Sequence, residues 1–528
     1  MNFDKNNYEH IPAEQFEFAQ LDANIHDAKL ETKARGYFAD ALLRFKKNKS
    51  SVIAAFIIGF LFLFAIVSPF LSPYVHLSVE TKNGKTETKI AIDKEQLYVN
   101  YPPFVRGISD LNIGILNGGV IHESQSELQM LYWKGIAEET GMDPVIRIVR
   151  TNEVVSKYRG QDRVTITYKL NTNKYYETGI RYRTLSYEEF ADIQRFQNET
   201  GIQVIYPYVD PADIFDIKDR PNIWYKLADE RGTPELDANG NFIPIYSTNK
   251  ALEGAEYNSI RVEGDDGSYI YSARKSGAVQ CRICYYNYYT YVNGREPMYI
   301  MGTNVMGQDI FGAIGVGACF SLLFAILVSA INLTIGAIYG AIQGYYGGVI
   351  DLAMDRVSDI LSGVPFMVVT TLFQLHLAQK VGVVPSFLFA FVLTGWISMA
   401  ALTRKQFYRF KGQEFVFAAR TLGASDWRLM FKHIFPNSLG TIITSCALVI
   451  PSTISSETTL TYLGIVNLSD LVGTSLGTLM SQGQTAMTTS PHAMFFPALF
   501  FSLLLISFNL FGNGLRDAFN PSTRGVED

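Results

Sequence analysis

Charge is what this chain has little of: Asp, Glu, Lys and Arg make up 18% of its 528 residues, against 48% hydrophobic. Residues 51–73 and Ile310–Ile350 contain none at all. Each run exceeds the roughly 20 apolar residues that a helix needs to cross the hydrocarbon core of a bilayer, which excludes a wholly water-soluble protein. A net charge of −5 gives no reason to expect a nucleic-acid partner. Cysteine is scarce as well. Of the four, Cys281 and Cys284 form a single C-x-x-C with no second pair or His cluster at metal spacing. No metal is therefore expected, and an oxidised pair is open to them outside the cytoplasm. Cys319 and Cys446 fall in apolar runs and read as small buried residues. A phosphate-binding loop is also missing. "GTNVMGQD" has the glycine spacing at Gly302 and Gly307, but Gln308 and Asp309 replace the Lys and Ser or Thr that would hold a nucleotide.

What is present is a set of membrane-length helices. Besides the two charge-free runs, apolar stretches at about 357–379, 381–403, 438–465 and 492–514 bring the expected number to six. A polar segment, residues 1–50, precedes the first, and no small-residue cleavage site follows it, so residues 51–73 read as a signal anchor. Arg44, Lys46, Lys47 and Lys49 crowd the start of that helix and keep the N-terminus cytoplasmic by the positive-inside rule. Alternation then places the segment at 404–437 on the same side. It carries Arg404, Lys405, Arg409, Lys411, Arg420, Arg428 and Lys432, which agrees.

Between the first two helices, residues 74–300 form an expected extracytoplasmic insert of mixed α and β character. "RVTITYKL" and "GIQVIYPYV" alternate like half-buried strands, "DANGN" and "VNG" are turn signals, and "SYEEFADIQRFQNET" reads as a helix capped by Ser186. Tyrosines gather in "CYYNYYTYVNGREPMYIMG". They suit a belt at the membrane interface or ordinary strand packing, with a peptide-binding surface as the alternative.

The segment Gln413–Asn437, "QEFVFAARTLGASDWRLMFKHIFPN", is too polar to span. Phe415, Ala418, Ala419 and Leu422 share one helical face with a narrow, alanine-rich centre. Gly423 suits a left-handed helix end, Ser425 an N-cap, Asp426 a first-turn acid, and Pro436 a stop. Two short helices meeting at a corner are expected. Such a face suits insertion into a protein groove better than lying on lipid.

These residues resemble the "EAA" loop of permease subunits of ATP-binding-cassette importers, with Phe417 in the Glu position and Ala418, Ala419, Gly423 and Pro436 matching. "TLGASDWR" and "FKHIFPN" narrow the resemblance to the dipeptide and oligopeptide permease group, C-type subunit. "LRFKKNKSSVIAAFIIGFLFLFAIVSPFLSPY", "GYYGGVIDLAMDRVSDIL", "ETTLTYLG" and "NLFGNGLRDAFNP" are similar to the same group. So is "MGTNVMGQDIF", with Asn304 and Gln308 departing from its "LGTDxxGRD". The likeness covers roughly residues 40–75 and 300–522 and leaves out the insert.

The resemblance implies an α-helical integral membrane protein of six transmembrane helices with the type I importer permease fold. Its core would be residues 301–514, followed by a cytoplasmic tail, 515–528. It implies a non-catalytic transport subunit that pairs with a second homologous permease and is fed by an extracytoplasmic peptide-binding protein. Two cytoplasmic ATPases would use ATP and Mg, and no cofactor is expected in this chain itself. Glu414, Phe415, Phe417, Ala418, Ala419, Arg420, Leu422, Gly423, Ala424, Ser425, Trp427 and Pro436 would form the coupling segment that seats on an ATPase.

Two further groups stand out. Glu457, inside the fifth expected helix, would line the peptide path or make a structural hydrogen bond among Ser455, Ser456, Thr458 and Thr459. Asp351, Asp355, Arg356 and Asp359 read as a structural charge cluster, with Arg356 and Asp359 at pairing distance. His376 reads as an interhelical donor. Close relatives carrying nickel or other small solutes are the alternative in the same class. A receptor working through the outer domain and a self-contained secondary transporter are alternatives in other classes.

Overall fold

The computed structural model describes residues 37–82, 85–106, 116–158, 161–206, 238, 261–263, 269–271, 278–468 and 473–519. Among the described residues five helices are long and apolar enough to cross a membrane: Lys49–Leu71, Ile310–Tyr346, Val383–Phe410, Asp426–Tyr462 and His492–Phe519. A bent pair, Gly348–Ser362 and Phe366–Val381, makes a sixth span if counted as one. In chain order these are spans one, two, four, five and six, with the bent pair as span three.

Small residues let the spans approach closely. Gly336, Gly340 and Gly344 lie four apart on span two and face span four. A Cβ on Gly336 would stand 2.6 Å from the Trp396 carbonyl oxygen, and one on Gly344 would stand 2.6 Å from the Phe407 Cβ. With no hydrophobic drive between helices in lipid, this small-xxx-small ridge and the dispersion contacts it permits bring the two backbones together. Span one packs on span two in the same way, with Ser68 and Ser72 against Gly315 and Gly312. Spans one and six meet where Ser51 lies against Gly514.

Span three departs from the continuous helix expected at about 357–379. It turns by 70° at residues 363–365, where Gly363 and Val364 lead into Pro365. Proline disfavours the helical conformation for the residue before it, and the chain breaks there and restarts at Phe366. A π-helical turn, Phe373–Leu377, contains His376. Span six runs on to Phe519, so Arg516 and Asp517 belong to its last turn rather than to a separate tail.

Among the described residues the insert holds ten strands: β1 (Val75–Lys82), β2 (Lys85–Ile92), β3 (Gly119–Ser126), β4 (Val145–Tyr158), β5 (Gln161–Asn173), β6 (Ile180–Ser186), β7 (Ile205–Tyr206), β8 (Arg261–Glu263), β9 (Tyr269–Tyr271) and β10 (Ala278–Cys284). They form antiparallel sheets in the orders β3-β5-β4 and β6-β10-β7, with β1-β2 and β8-β9 as two-stranded ribbons. The helix Tyr187–Thr200 starts as expected, with the Ser186 hydroxyl accepting from the Glu189 N–H at 3.1 Å. "GIQVIYPYV" yields only β7 among the described residues, and most of the "DANGN" turn lies outside them. Near β5, burial pushes the Glu177 carboxyl up. Hydrogen bonds from His122 and Thr172, with the charge of Lys174, outweigh it and hold the group below the usual carboxylate range.

Two expectations fail here. Cys281 and Cys284 lie on one extended strand, β10. Three strand residues span about 10 Å between Cα atoms, beyond the reach of a disulfide. The tyrosine run forms neither a strand nor a membrane belt. Tyr285–Asn293 is a helix closed by Gly294 at φ +63°. Tyr286 and Tyr289, with Tyr74, Tyr98, Tyr101, Phe104, Tyr175 and Tyr299, make the insert's aromatic core. The rings meet stacked or edge-on: Phe104 and Tyr175 stack at 4.5 Å, and Tyr101 meets Tyr175 edge-on at 4.9 Å. Hydroxyls at its margin find partners, Tyr175 donating to the Pro102 carbonyl at 3.0 Å and Tyr74 to that of Met298 at 3.0 Å.

Residues 301–310 rivet the insert to the helices. The Tyr101 N–H donates to the Thr303 hydroxyl at 2.8 Å, the Asn100 N–H to the Asn304 carbonyl at 3.0 Å, and the Glu95 N–H to that of Gly307 at 3.1 Å. Asp309 caps span two by accepting from the Gly312 N–H at 3.0 Å, and accepts from the Ser72 hydroxyl of span one at 2.6 Å. Burial pushes its carboxyl up, although each of these bonds favours the charged form. The Asn304 side chain donates to Gln308 and to Gln482, both at 3.0 Å.

Removing the Tyr175 ring should unseat this core. Tyr175→Ala is expected to cost about 3–5 kcal/mol, the range for large aromatic truncations, and Tyr175→Phe about 1 kcal/mol for its hydrogen bond. Thermal unfolding of the detergent-extracted protein, followed by near-UV dichroism, would check the ranking; equal effects would contradict it.

Candidate functional site

The site is the corner between spans four and five. Span four ends at Phe410, and the helix Glu414–Thr421 follows after one turn. Its C-terminus is a full Schellman arrangement. The Gly423 N–H donates to the Arg420 carbonyl at 2.9 Å and the Ala424 N–H to that of Ala419 at 3.1 Å, with Gly423 at φ +82°. Only glycine takes that backbone freely. Ser425 holds the N-cap backbone conformation of the next helix, but its side chain makes no capping bond.

Pro436 does not stop that helix. The turn Asp426–Arg428 passes through a π-helical turn, Leu429–Ile434, into Phe435–Tyr462, and the whole runs as span five. Proline falls at the first turn of the α-helical part, where its missing N–H is tolerated, and the preceding π turn absorbs the change of hydrogen-bond register.

The corner has two sides. Val416, Leu429, Met430 and Ile434 are buried against Ala341, Tyr345 and Phe407, with Ala419 and Ala424 packed at the edge. On the other side Leu422 is 88% exposed, Trp427 64%, Phe417 53% and Phe415 41%. The face expected from Phe415, Ala418, Ala419 and Leu422 is thus divided. Ala419 turns inward while Phe415, Ala418 and Leu422 stay outward. Glu414 begins the first helix and is exposed.

One residue that sequence reasoning missed holds the corner together. The Tyr345 hydroxyl, at the end of span two, donates to Asp426 at 2.6 Å and accepts from the Arg420 guanidinium at 3.2 Å. It therefore joins the short helix Glu414–Thr421 and the start of span five to span two. Nearby, the Lys411 ammonium donates to the Gly344 carbonyl at 3.0 Å. No motif singles out Tyr345; it is one tyrosine of the "GYYGG" run.

The charge cluster divides as well. Arg404 of span four donates to Asp351 at 2.6 Å and to Asp355 at 2.9 Å, and Tyr408 donates to Asp351. The start of span three is thereby fixed to span four. Arg356 and Asp359 pair at 3.1 Å on the surface with side chains 71% and 58% exposed, a setting in which ion pairs contribute little.

Glu457 is fully buried, and its carboxylate accepts from the Ser321 hydroxyl of span two at 2.7 Å and from Thr458 at 3.3 Å. An opening of about 600 Å³ lies close by, lined by Ser456 and Thr453 but not by Glu457. Glu457 thus bonds span five to span two, the structural alternative for this residue, and is not among the residues lining the opening.

A sequence profile described as "Binding-protein-dependent transport system inner membrane component" matches residues 333–525, and "N-terminal TM domain of oligopeptide transport permease C" matches residues 36–83. The chain is 40% identical over 223 residues to the oligopeptide transport system permease protein OppC of Bacillus subtilis, covering 42% of this chain and 72% of that one. This chain belongs to the binding-protein-dependent transport permeases. A dipeptide transport system permease protein, DppC, of the same species is 35% identical over 224 residues, covering 42% of this chain and 68% of DppC. OppC of Haemophilus influenzae is 37% identical over 229 residues, covering 43% and 72%. A methionine ABC transporter solved in inward facing conformations shares 13% identity over 39% of the permease and 96% of its own chain, at a TM-score of 0.32, a likeness too slight to define the fold. Residues 84–332 of the permease, most of which are insert, lie outside both profiles.

Two substitutions probe the geometry. Tyr345→Phe should speed amide exchange across residues 418–430 roughly fivefold, the effect of losing about 1 kcal/mol of local hydrogen bonding; unchanged exchange would show that the clamp is idle. Glu457→Gln keeps an acceptor for Ser321 and should leave uptake within about twofold, whereas Glu457→Ala should destabilise by about 1–3 kcal/mol. Loss of uptake by Glu457→Gln at wild-type stability would place the carboxylate on the path.

Proposed function

We propose that this permease takes up oligopeptides or dipeptides as one half of the membrane pathway of an ATP-binding-cassette importer, with separate ATPase subunits as its motor. Two cytoplasmic ATPases hydrolyse ATP with Mg, a second homologous permease completes the pathway, and an extracytoplasmic binding protein delivers the peptide. The N- and C-termini and the corner at 404–437 face the cytoplasm, as the basic residues around them favour, and the insert faces outward. There it serves as a platform for the delivering protein.

The observation that carries this reading is the corner's outward side. Phe415, Phe417, Leu422 and Trp427 project from the short helix, the turn after it and the start of span five, whose opposite side is fixed to span two through Tyr345. An apolar knob on a rigid mount suits a cleft in a moving partner, because a rigid-body displacement of the partner passes directly to the spans. Names of relatives point to peptides as cargo. No charged group of this chain has to meet the substrate for the corner to work.

Affinity purification from the native membrane tests it. The tagged chain should bring down a second permease and ATPases. Trp427→Ala and Leu422→Asp should each lose the ATPases while keeping the permease pair, and Gly423→Val should do the same by forcing a side chain into a left-handed backbone that costs roughly 1–2 kcal/mol. Recovery of the chain alone in several mild detergents, or ATPases retained by all three variants, would overturn the reading.

A further inference from the structure

Residues 119–294 of the insert hold one structural unit twice. Each copy runs strand, helix, strand, strand and tyrosine-bearing helix, and each pairs its strands in the order first, third, second: β3-β5-β4 in residues 119–179 and β6-β10-β7 in residues 180–294. The helices Glu127–Thr140 and Tyr187–Thr200 match bond for bond. Ser126 and Ser186 accept from the N–H three residues on, at 3.3 and 3.1 Å. Thr140 and Thr200 donate to the carbonyl four residues back, both at 2.7 Å, and accept from the N–H two residues on, both at 3.2 Å. Gly141 and Gly201 close the helices, both at φ +72°. Left-handed glycines also bound the units, Gly118 before the first, Gly179 between them and Gly294 after the second. Recurrence of the same caps in the same order is the mark of an internal duplication. The units differ in the connection between their second and third strands, residues 159–160 in one and 207–277 in the other.

Comparing the copies shows what the first leaves uncovered. Each helix packs on one face of its own sheet, Trp133 and Ile136 on Leu170 in the first unit, Phe190 and Ile193 on Leu185 and Ile283 in the second. In the second unit the opposite face is closed as well. Ile180, Tyr206 and Cys284 lie in the aromatic core, and Arg282 beside them is 2% exposed. The corresponding face of the first unit is open. Ile121, 55% exposed, faces Asn171 across the sheet, and Asn171 faces the exposed Arg147. In the next row the exposed Arg150 stands opposite Lys169, which donates to Glu123 at 2.7 Å. Among the described residues neither arginine has an ion-pair partner.

We infer that the open sheet face of the first unit is the surface on which the delivering protein seats, through an acidic patch of that protein. The inference rests on the importer reading and names the part of the insert that does the docking. Three bases against one acid leave the face positive, and an arginine fork takes a carboxylate in two parallel hydrogen bonds. Ile121, in the same row as Arg147, supplies an apolar contact that keeps water from such bonds. The duplication adds a precedent within the chain. The second copy carries a protein layer over this same face, so the fold accommodates complete cover there.

The test reverses charge on two sides of the same unit. The complete importer is held in nanodiscs of zwitterionic lipid, and the affinity of its own peptide-binding protein, loaded with trialanine, is measured. Arg147→Glu and Arg150→Glu should each weaken binding roughly tenfold, the order expected of a charge lost from a close interfacial pair. Lys134→Glu makes the same change of charge on the solvent side of the helix, where Lys134 is 73% exposed, and should leave affinity within about twofold. Added salt should weaken the wild type more than either arginine variant. Where a reversal disturbs the fold, Arg147→Gln with Arg150→Gln decides, since it introduces no acid; that pair should also weaken binding several-fold. Affinity unmoved in the arginine variants, or weakened as much by Lys134→Glu, would overturn the inference and leave the importer reading standing. Capture of vesicles of anionic lipid by the wild-type face, with the binding protein held equally by every variant, would make it a lipid contact and overturn the inference too. A wild-type chain that assembles with no ATPase and no binding protein would overturn the importer reading itself.

Discussion

Close approach of span two to its neighbours is the constraint on which the remainder of the molecule depends. Gly336, Gly340 and Gly344 let span four lie against it at backbone distance, and Gly312 and Gly315 do the same for span one. Lipid offers apolar side chains as good a solvent as another helix does, so the association must come from contact density and from polar groups satisfied between helices. Span two is also where both working ends are anchored. Asp309 at one end ties in span one, while Tyr345 at the other holds the short helix of the corner and the start of span five. A methyl group added to the ridge would therefore be felt at both faces, although it touches neither.

The polar bonds inside the bundle follow the same economy. Ser321 with Glu457, and Arg404 with Asp351 and Asp355, each join two spans. In the riveting segment, Asn304 and Gln308 stand where the family pattern has an acid and a base. Their amides bond to each other and to Gln482, both bonds at 3.0 Å and all without net charge. Changing both members together keeps a donor facing an acceptor; changing one alone would have left a buried charge unpaired, which is strongly destabilising.

The sequence was most legible where local chemistry decides the outcome. Apolar length announced the spans, and Gly423 announced the turn that the Schellman bonds complete. Ser186 marked its helix for the same reason. Legibility failed where the deciding contact is distant in the chain. Tyr345 lies 81 residues from Asp426, and nothing around either residue names the other. Pro436 was misread because a proline in the first turn of one helix and a proline that ends another look alike until the π turn before it is seen. The tyrosines of the insert have the composition of an interface belt, and only the packing of Tyr98, Tyr175 and Tyr299 around them shows a core. Cys281 and Cys284 suggested a bond that strand geometry forbids.

Spans two and five are each 37 residues long. At 1.5 Å per residue, each is about 55 Å from end to end, while the hydrocarbon core of a bilayer is about 30 Å thick. Even a tilted helix of that length leaves a substantial part standing clear of the lipid. The corner sits where the ends of these two long helices are joined through Tyr345, and a push against it acts with leverage. A small rotation in the bundle corresponds to a larger sweep at the corner, so the distance travelled by whatever grips Trp427 and Leu422 is geared down on its way into the membrane, and the force is geared up.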